Sequence, residues 1–151
     1  MVNYFLIGED SIFIGKNTSI EIGAVLSARN NSSITIGDNV IIGPYVVILT
    51  TDHIFSDSSQ LIRNQGSYIG SISIGNDVWI GSHSTILYGV KIPDGVVIGA
   101  NSLVKHQDFL DPYSIYAGNP IRKIGVREEG KITRGRKIVR KFKKLTAEGR
   151  V

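Results

Sequence analysis

"IGNDVWIGSHSTILYGVKIPDGVVIGANSLV", residues 74–104, puts an aliphatic residue at Ile74, Ile80, Ile86, Ile92, Ile98 and Val104, six apart at every step. Neither a helix nor a lone strand calls for that period. A short strand ending in a tight corner does. Side chains alternate in and out along a strand, so one rung residue per side points inward. Glycine at a corner lets the backbone turn or approach a neighbour closely, and Gly15, Gly37, Gly43, Gly75, Gly81 and Gly99 each follow a rung. A second set four positions after a rung (Val40, Val46, Val78, Ser84, Val90, Val96, Ser102) is small or β-branched throughout. Three sides of six make a coil of 18 residues, and such coils stack at the strand spacing of about 4.8 Å. No amphipathic helix separates the strands, so a βαβ sheet does not fit. The pattern predicts an all-β parallel β-helix.

The ladder continues upstream at Ile36, Ile42 and Ile48, and in fragments at Ile14, Ile20 and Leu26. It breaks twice. Leu26 to Ile36 spans ten residues, a small insertion in "SARNNSS". Ile48 to Ile74 spans 26, read as one coil of 18 plus eight extruded residues within "TTDHIFSDSSQLIRNQGSYIGS". Loops on a rigid scaffold carry chemistry, so the loop at about 54–72 marks the candidate site. His53 stands at its entrance, five past rung Ile48, and Trp79 stands five past rung Ile74. With the loop excised the two share a phase, which places them at one corner on neighbouring coils.

The 151 residues, 42% hydrophobic and 20% charged, fit one domain. Without cysteine there is no disulfide framework, thiolate metal site or cysteine nucleophile. The opening "MVNYFLIGED" lacks a basic stretch before an apolar run, and no apolar run is of membrane-spanning length. A soluble cytoplasmic protein is the expectation. The net charge of +4 is uneven: residues 127–151 hold ten Lys/Arg against three Glu, leaving residues 1–126 acidic. We expect a β-helix domain over 1–126 and a basic extension over 127–151, helical from about Arg136 to Leu145, where Ile138, Phe142 and Leu145 share a face. No recognition module accompanies the basic charge, so nucleic acid is not the expected partner; an anionic membrane surface is a candidate for peripheral contact. The three histidines, His53, His83 and His106, stand five, three and two past their rungs. On regular coils they cannot converge on one metal, so no metal is expected.

The stretches "IGDNVIIGPYVVILTTDH", "IGNDVWIGSHSTIL", "IGANSLV" and "YSIYAGNPIRKIG" resemble the hexapeptide-repeat acyltransferases, closest to bacterial O-acetyltransferases of sugars and surface polysaccharides. The resemblance covers roughly residues 8–126 and implies a left-handed parallel β-helix acting as a homotrimer, with acetyl-CoA as co-substrate and sites between subunits. It implies that His53 is the general base and that the backbone N–H of Ser82 faces the thioester oxygen. Histidine suits the task, with an unperturbed pKa near 6.5. It further points to Gly99, Ala100, Pro120 and Arg122 for the donor, with Gly81 beside Ser82 and Lys123 adding charge; Trp79 is a donor-site wall, a trimer contact or both. Where relatives commonly read valine-threonine-lysine-aspartate, this chain reads "VKHQD", putting Lys105 on the usual threonine and His106 on the usual lysine. Arg63, Asn64 and Gln65 of the loop are candidates for contacting a carbohydrate acceptor. The expected reaction is direct acetyl transfer to a sugar hydroxyl in surface-polysaccharide synthesis. The alternatives are N-acetylation of an amino sugar or sugar nucleotide, or acetylation of an antibiotic. Asp52 adjoins His53, but neighbours on an extended chain point apart, so a His–Asp pair is not expected.

Overall fold

The structure is a computed structural model and describes residues 3–130. The proposed helix at 136–145 and most of the basic extension lie outside the described residues. Strands follow the ladder, one per side. The first coil holds β1 (Phe5–Ile7), β2 (Ile12–Ile14) and β3 (Ser19–Ile20); the second holds β4 (Val25–Ser27), β5 (Ile34–Ile36) and β6 (Ile41–Ile42). The third opens with β7 (Val47–Leu49) and leaves the helix through a hairpin of β8 (Thr51–His53) and β9 (Ser67–Ile69). It then resumes with β10 (Ile72–Ile74) and β11 (Trp79–Ile80). The fourth is β12 (Thr85–Ile86), β13 (Lys91–Ile92) and β14 (Val97–Ile98). The fifth has β15 (Leu103–Val104) and β16 (Ser114–Ala117), against which β17 (Arg122–Val126) folds back antiparallel.

Stacking these coils makes three parallel sheets. The first sheet is β1-β4-β7-β12-β15, the second β2-β5-β10-β13, and the third β3-β6-β11-β14-β16 with β17 at its edge. Rungs meet rungs: Leu26, Ile48, Ile86 and Val104 are in register, as are Ile42, Ile80 and Ile98. Leu26, Ile42, Ile48, Ile80, Ile86 and Ile98 are fully buried. Each such side chain stabilises the helix by about 1.5–3 kcal/mol.

The register corrects the reading of the large insertion. Ile48 pairs with Ile86, 38 positions on, so the excursion adds 20 residues to one side of one coil. A period of six cannot tell how many sides an insertion spans, and the 26-residue gap therefore divided wrongly. The consequence reaches the site. Trp79 lies on the third sheet between Ile41 and Val97, while His53 leaves the first sheet and pairs with Ser67 in the hairpin. Within one chain the two do not share a corner.

Two corners are built differently. Between the second and third sheets, an Asx ladder satisfies the turn amides. The Lys16 N–H donates to the Asp38 carboxylate (2.7 Å), the Asp38 N–H to the Asn76 side-chain oxygen (2.9 Å) and the Asn76 N–H to Asp94 (2.7 Å). Between the third and first sheets, buried serines replace valine. The Ser84 hydroxyl donates to the Gly99 carbonyl (2.9 Å) and accepts from the Ser102 N–H (3.3 Å). The Ser102 hydroxyl in turn donates to Gly99 (2.6 Å) and accepts from the Gly118 N–H (3.0 Å).

Candidate active site

His53 lies on the hairpin that flanks the outer face of the first sheet. A cleft of about 340 Å³ opens there, floored by Ile7, Val25 and Leu49 and walled by Thr51, His53 and Ser67 of the hairpin. The floor is apolar because the strands turn their non-rung residues outward. Among the described residues the His53 ring makes no hydrogen bond to a protein group, and the Asp52 carboxylate accepts from the His53 main-chain N–H (2.8 Å). As expected, the adjacent acid does not orient the imidazole.

The opposite face of the hairpin is anchored. Asp52 and Tyr68 are cross-strand partners. The Tyr68 ring stacks on Tyr88 (centroids 5.4 Å, planes 6° apart), and Tyr88 stacks on His106 (5.0 Å, 22°). Burial holds the Tyr88 hydroxyl above the usual tyrosine range, with Tyr68 and Asp52 adding to the shift. His106, which stands where relatives commonly have lysine, is thus a member of this stack. At the hairpin base the Gly89 N–H donates to Gly70 (3.1 Å), and a Cβ on Gly70 would stand 2.7 Å from the Gly89 nitrogen. A side chain there would push the hairpin away from the coil.

The loop tip is held by its own polar groups. Gln65 donates to the carbonyls of Asp57 (2.8 Å) and Gln60 (3.1 Å) and accepts from the Asp57 N–H (3.0 Å). Its amide therefore braces the loop. Hydrogen bonds from the Ser59 hydroxyl and N–H and from Gln60 hold the Asp57 carboxyl below its usual range. Arg63 and Asn64 sit in a short 3-10 turn (Ile62–Asn64), exposed and outside the cleft lining.

Ser82 and Ala100 lie at the corner between the third and first sheets. Their N–H groups donate to no protein acceptor among the described residues, unlike the amides of the Asx corner. Pro44 holds the equivalent position one coil earlier, where the His83 N–H bonds to its carbonyl in the stack (3.0 Å), and as a proline it has no N–H to offer. A Cβ on Gly81 would lie 2.6 Å from the Ala100 nitrogen, so glycine there permits the two corners to stack with both amides outward. The His83 ring stacks on Tyr45 (5.1 Å, 13°), walling the corner. This corner precedes the first-sheet strands and His53 follows them, so Ser82 and His53 stand at opposite ends of one sheet.

Trp79, half exposed at 51%, faces outward over a second cleft of about 540 Å³, which also takes in Val97, Ile115 and Arg127. Arg127 closes that cleft by bonding the Asp77 carboxylate (2.8 Å) and the Gly95 carbonyl (3.0 Å). Lys123 is paired with Asp111 at 2.8 Å, which holds the Asp111 carboxyl below and the Lys123 ammonium above their ordinary ranges. Arg122 is exposed and donates to the Ile121 carbonyl (2.9 Å), Pro120 follows a cis bond, and the Lys105 N–H donates to Asp108 (2.8 Å). Gly99 contributes its carbonyl to the serine ladder. Among the described residues, no cluster of three histidine or acidic side chains could hold a metal ion, and no helix is long and apolar enough to cross a membrane.

Coils of hexapeptides stacked into three sheets, with one extruded histidine-bearing hairpin, define a hexapeptide-repeat β-helix. The chain belongs to the hexapeptide-repeat transferase family. Residues 71–106 match the family "Bacterial transferase hexapeptide (six repeats)". Galactoside O-acetyltransferase from Escherichia coli K12 is 40% identical over 121 residues, which is 80% of this chain and 56% of that enzyme. The chain thus spans little more than half of that relative's length. Among solved structures, galactoside acetyltransferase in complex with coenzyme A superimposes with a TM-score of 0.73 at 32% identity, covering 88% of this chain and 69% of the other. A Vibrio cholerae hexapeptide-repeat acetyltransferase complexed with acetyl coenzyme A gives 0.72 at 31%, covering 83% and 66%.

Proposed function

We propose that this protein is an acetyl-CoA-dependent O-acetyltransferase acting on a sugar hydroxyl in surface-polysaccharide synthesis, with His53 as general base. The observation that carries this reading is the 340 Å³ cleft, where an imidazole with no partner among the described residues lines an apolar floor rimmed by hydroxyls. An apolar floor suits the C–H face of a sugar ring, and Ser27, Thr51 and Ser67 suit its hydroxyls. His53 would take the proton from the attacking hydroxyl as its oxygen bonds to the acetyl carbon. The carbon–sulfur bond then breaks, the acetyl group stays on the acceptor, and the imidazolium returns the proton to the departing CoA sulfur. Such base catalysis is worth about 10²–10⁴-fold. The outward Ser82 N–H would stabilise the oxygen that gains charge, a fixed donor needing no reorganisation.

Because Ser82 and His53 sit at opposite ends of one sheet, the complete site would form between copies, with homotrimers as the assembly. The outer faces support this: the first sheet shows Val25, Val47 and Leu49 and the third Ile41, Trp79 and Val97, whereas the second shows Thr35, Ser73 and Lys91, with Phe13 its one aromatic at the first coil. Two apolar faces and one polar face suit a closed ring. The donor would run past Trp79, Gly81, Gly99 and Ala100 toward Pro120 and Arg122. Lys105 and Lys123 would complete its phosphate contacts, Lys123 by exchanging its exposed partner Asp111. Release of free CoA from acetyl-CoA with a panel of sugars tests the reading. His53→Ala should lose at least about 10²-fold in kcat while still binding acetyl-CoA; equal rates on a good acceptor would remove His53 from the mechanism.

A further inference from the structure

The small insertion between β4 and β5 delivers an arginine to the mouth of the His53 cleft. The Arg29 main-chain N–H donates to the Thr50 hydroxyl (3.0 Å), which itself donates to the Ser27 carbonyl (3.2 Å) with Thr50 fully buried. Arg29 Nε reaches the Ser27 hydroxyl (3.3 Å), and the Arg29 carbonyl accepts from the Ser32 hydroxyl. Backbone and guanidinium are thus both positioned by the first sheet. Yet Arg29 takes part in neither ion pair of the described residues, Lys123–Asp111 and Arg127–Asp77. The acid nearest in the cleft lining, Asp52, spends its Oδ1 on the His53 N–H. Among the described residues the remaining guanidinium N–H groups therefore have no anion, and a planar fork of donors matches a carboxylate or phosphate.

We infer that Arg29 selects an acidic acceptor, one whose carboxylate or phosphate docks on the guanidinium while its hydroxyl is presented to His53. The inference rests on the proposal that this cleft takes the acceptor, and it narrows that proposal to uronates, sugar phosphates or nucleotide-linked sugars. The shared chemistry is an anion beside the reacting sugar. The floor of Ile7, Val25 and Leu49 carries no charge, so a neutral sugar would gain only apolar contact and hydroxyl bonds there.

The test measures kcat/KM for acetylation of glucose, glucuronate and glucose 6-phosphate by the wild type, Arg29→Gln, Arg29→Lys and His53→Ala. The wild type should prefer an acidic member by roughly 10- to 100-fold, the scale of a hydrogen bond to a charged group. Arg29→Gln should bring the acidic member down to the neutral one through KM, and Arg29→Lys should keep part of the preference. Comparing glucuronate with glucose 6-phosphate tells carboxylate from phosphate. Equal wild-type rates on all three acceptors overturn the inference and leave His53 untouched. So does an Arg29→Gln variant whose KM rises for acetyl-CoA, which would assign the guanidinium to the donor. If His53→Ala works as fast as the wild type, the underlying cleft assignment fails instead.

Discussion

Ser84→Val separates two explanations of the same column of residues. Ala24, Val46, Ser84 and Ser102 stack at the corner between the third and first sheets, each four past its rung, and Ser84 is fully buried. If only the apolar pattern matters, valine repeats Val46 one coil away and should add about 1 kcal/mol of burial. The hydrogen bonds say otherwise. Valine removes the acceptor of the buried Ser102 N–H and one of two donors to the Gly99 carbonyl, which keeps the Ser102 hydroxyl. An orphaned buried N–H costs about 1–3 kcal/mol, and the extra methyl groups must also be fitted into the stacked corner. We therefore expect a net loss of about 1–3 kcal/mol, or roughly 2–12 °C in Tm at about 2–4 °C per kcal/mol. Urea and thermal unfolding monitored by circular dichroism measure it, with Val46→Ser as the converse, also expected to lose stability. A Ser84→Val protein as stable as the wild type, or more so, refutes the reasoning.

Further predictions bear on the corners and the loop. Asp38→Ala removes the acceptor of the exposed Lys16 N–H and should cost about 0.5–1.5 kcal/mol in urea unfolding. Gly81→Ala places a Cβ 2.6 Å from the Ala100 nitrogen and should lower both Tm and acetyl-CoA affinity, read by calorimetry. Asp57 titrates below its unfolded value of 3.8, so its contribution to loop order is complete above that pH and is lost as pH falls through the folded value. Protease cleavage of the loop should therefore rise at low pH, and less so in Asp57→Asn.

The period of six identified the sides from Ile14 to Val104 because an inward residue must recur wherever a short strand meets a corner, and Ile74, Ile80 and Ile86 obey that geometry; it did not mark β1 or β16, where Leu6 and Tyr116 continue the columns. The same period concealed the size of the excursion after Ile48, since any multiple of a side leaves the phase unchanged. That ambiguity placed Trp79 beside His53, and only strand register separates them. Side-chain competition was equally hidden: Gln65 looks like a ligand-facing amide until Asp57 and Gln60 engage it, and Lys123 looks like a free cation until Asp111 does. Some contacts were readable. Tyr45 and His83 both stand three past third-sheet rungs, and Tyr88 and His106 both stand two past first-sheet rungs, so equal phase on adjacent coils announces each stack. Arg29 carried a weaker signal, a cation inside the short insertion "SARNNSS" that follows a first-sheet strand.

The central proposal is a transferase site completed between copies by His53 from one and the Ser82 N–H from another. Ser82→Pro removes that N–H at a position where Pro44 already fits one coil away. The decisive measurement is acetyl-transfer activity of hybrids co-expressed from His53→Ala and Ser82→Pro chains and purified through different tags on each. Each variant alone should be inactive, and a trimer holding both chains has one interface in three that joins an intact His53 to an intact Ser82 N–H, so the hybrids should recover activity at about a third of the sites. Inactive hybrids of confirmed mixed composition would contradict the proposal by placing both groups in one chain, as would a Ser82→Pro protein as active as the wild type.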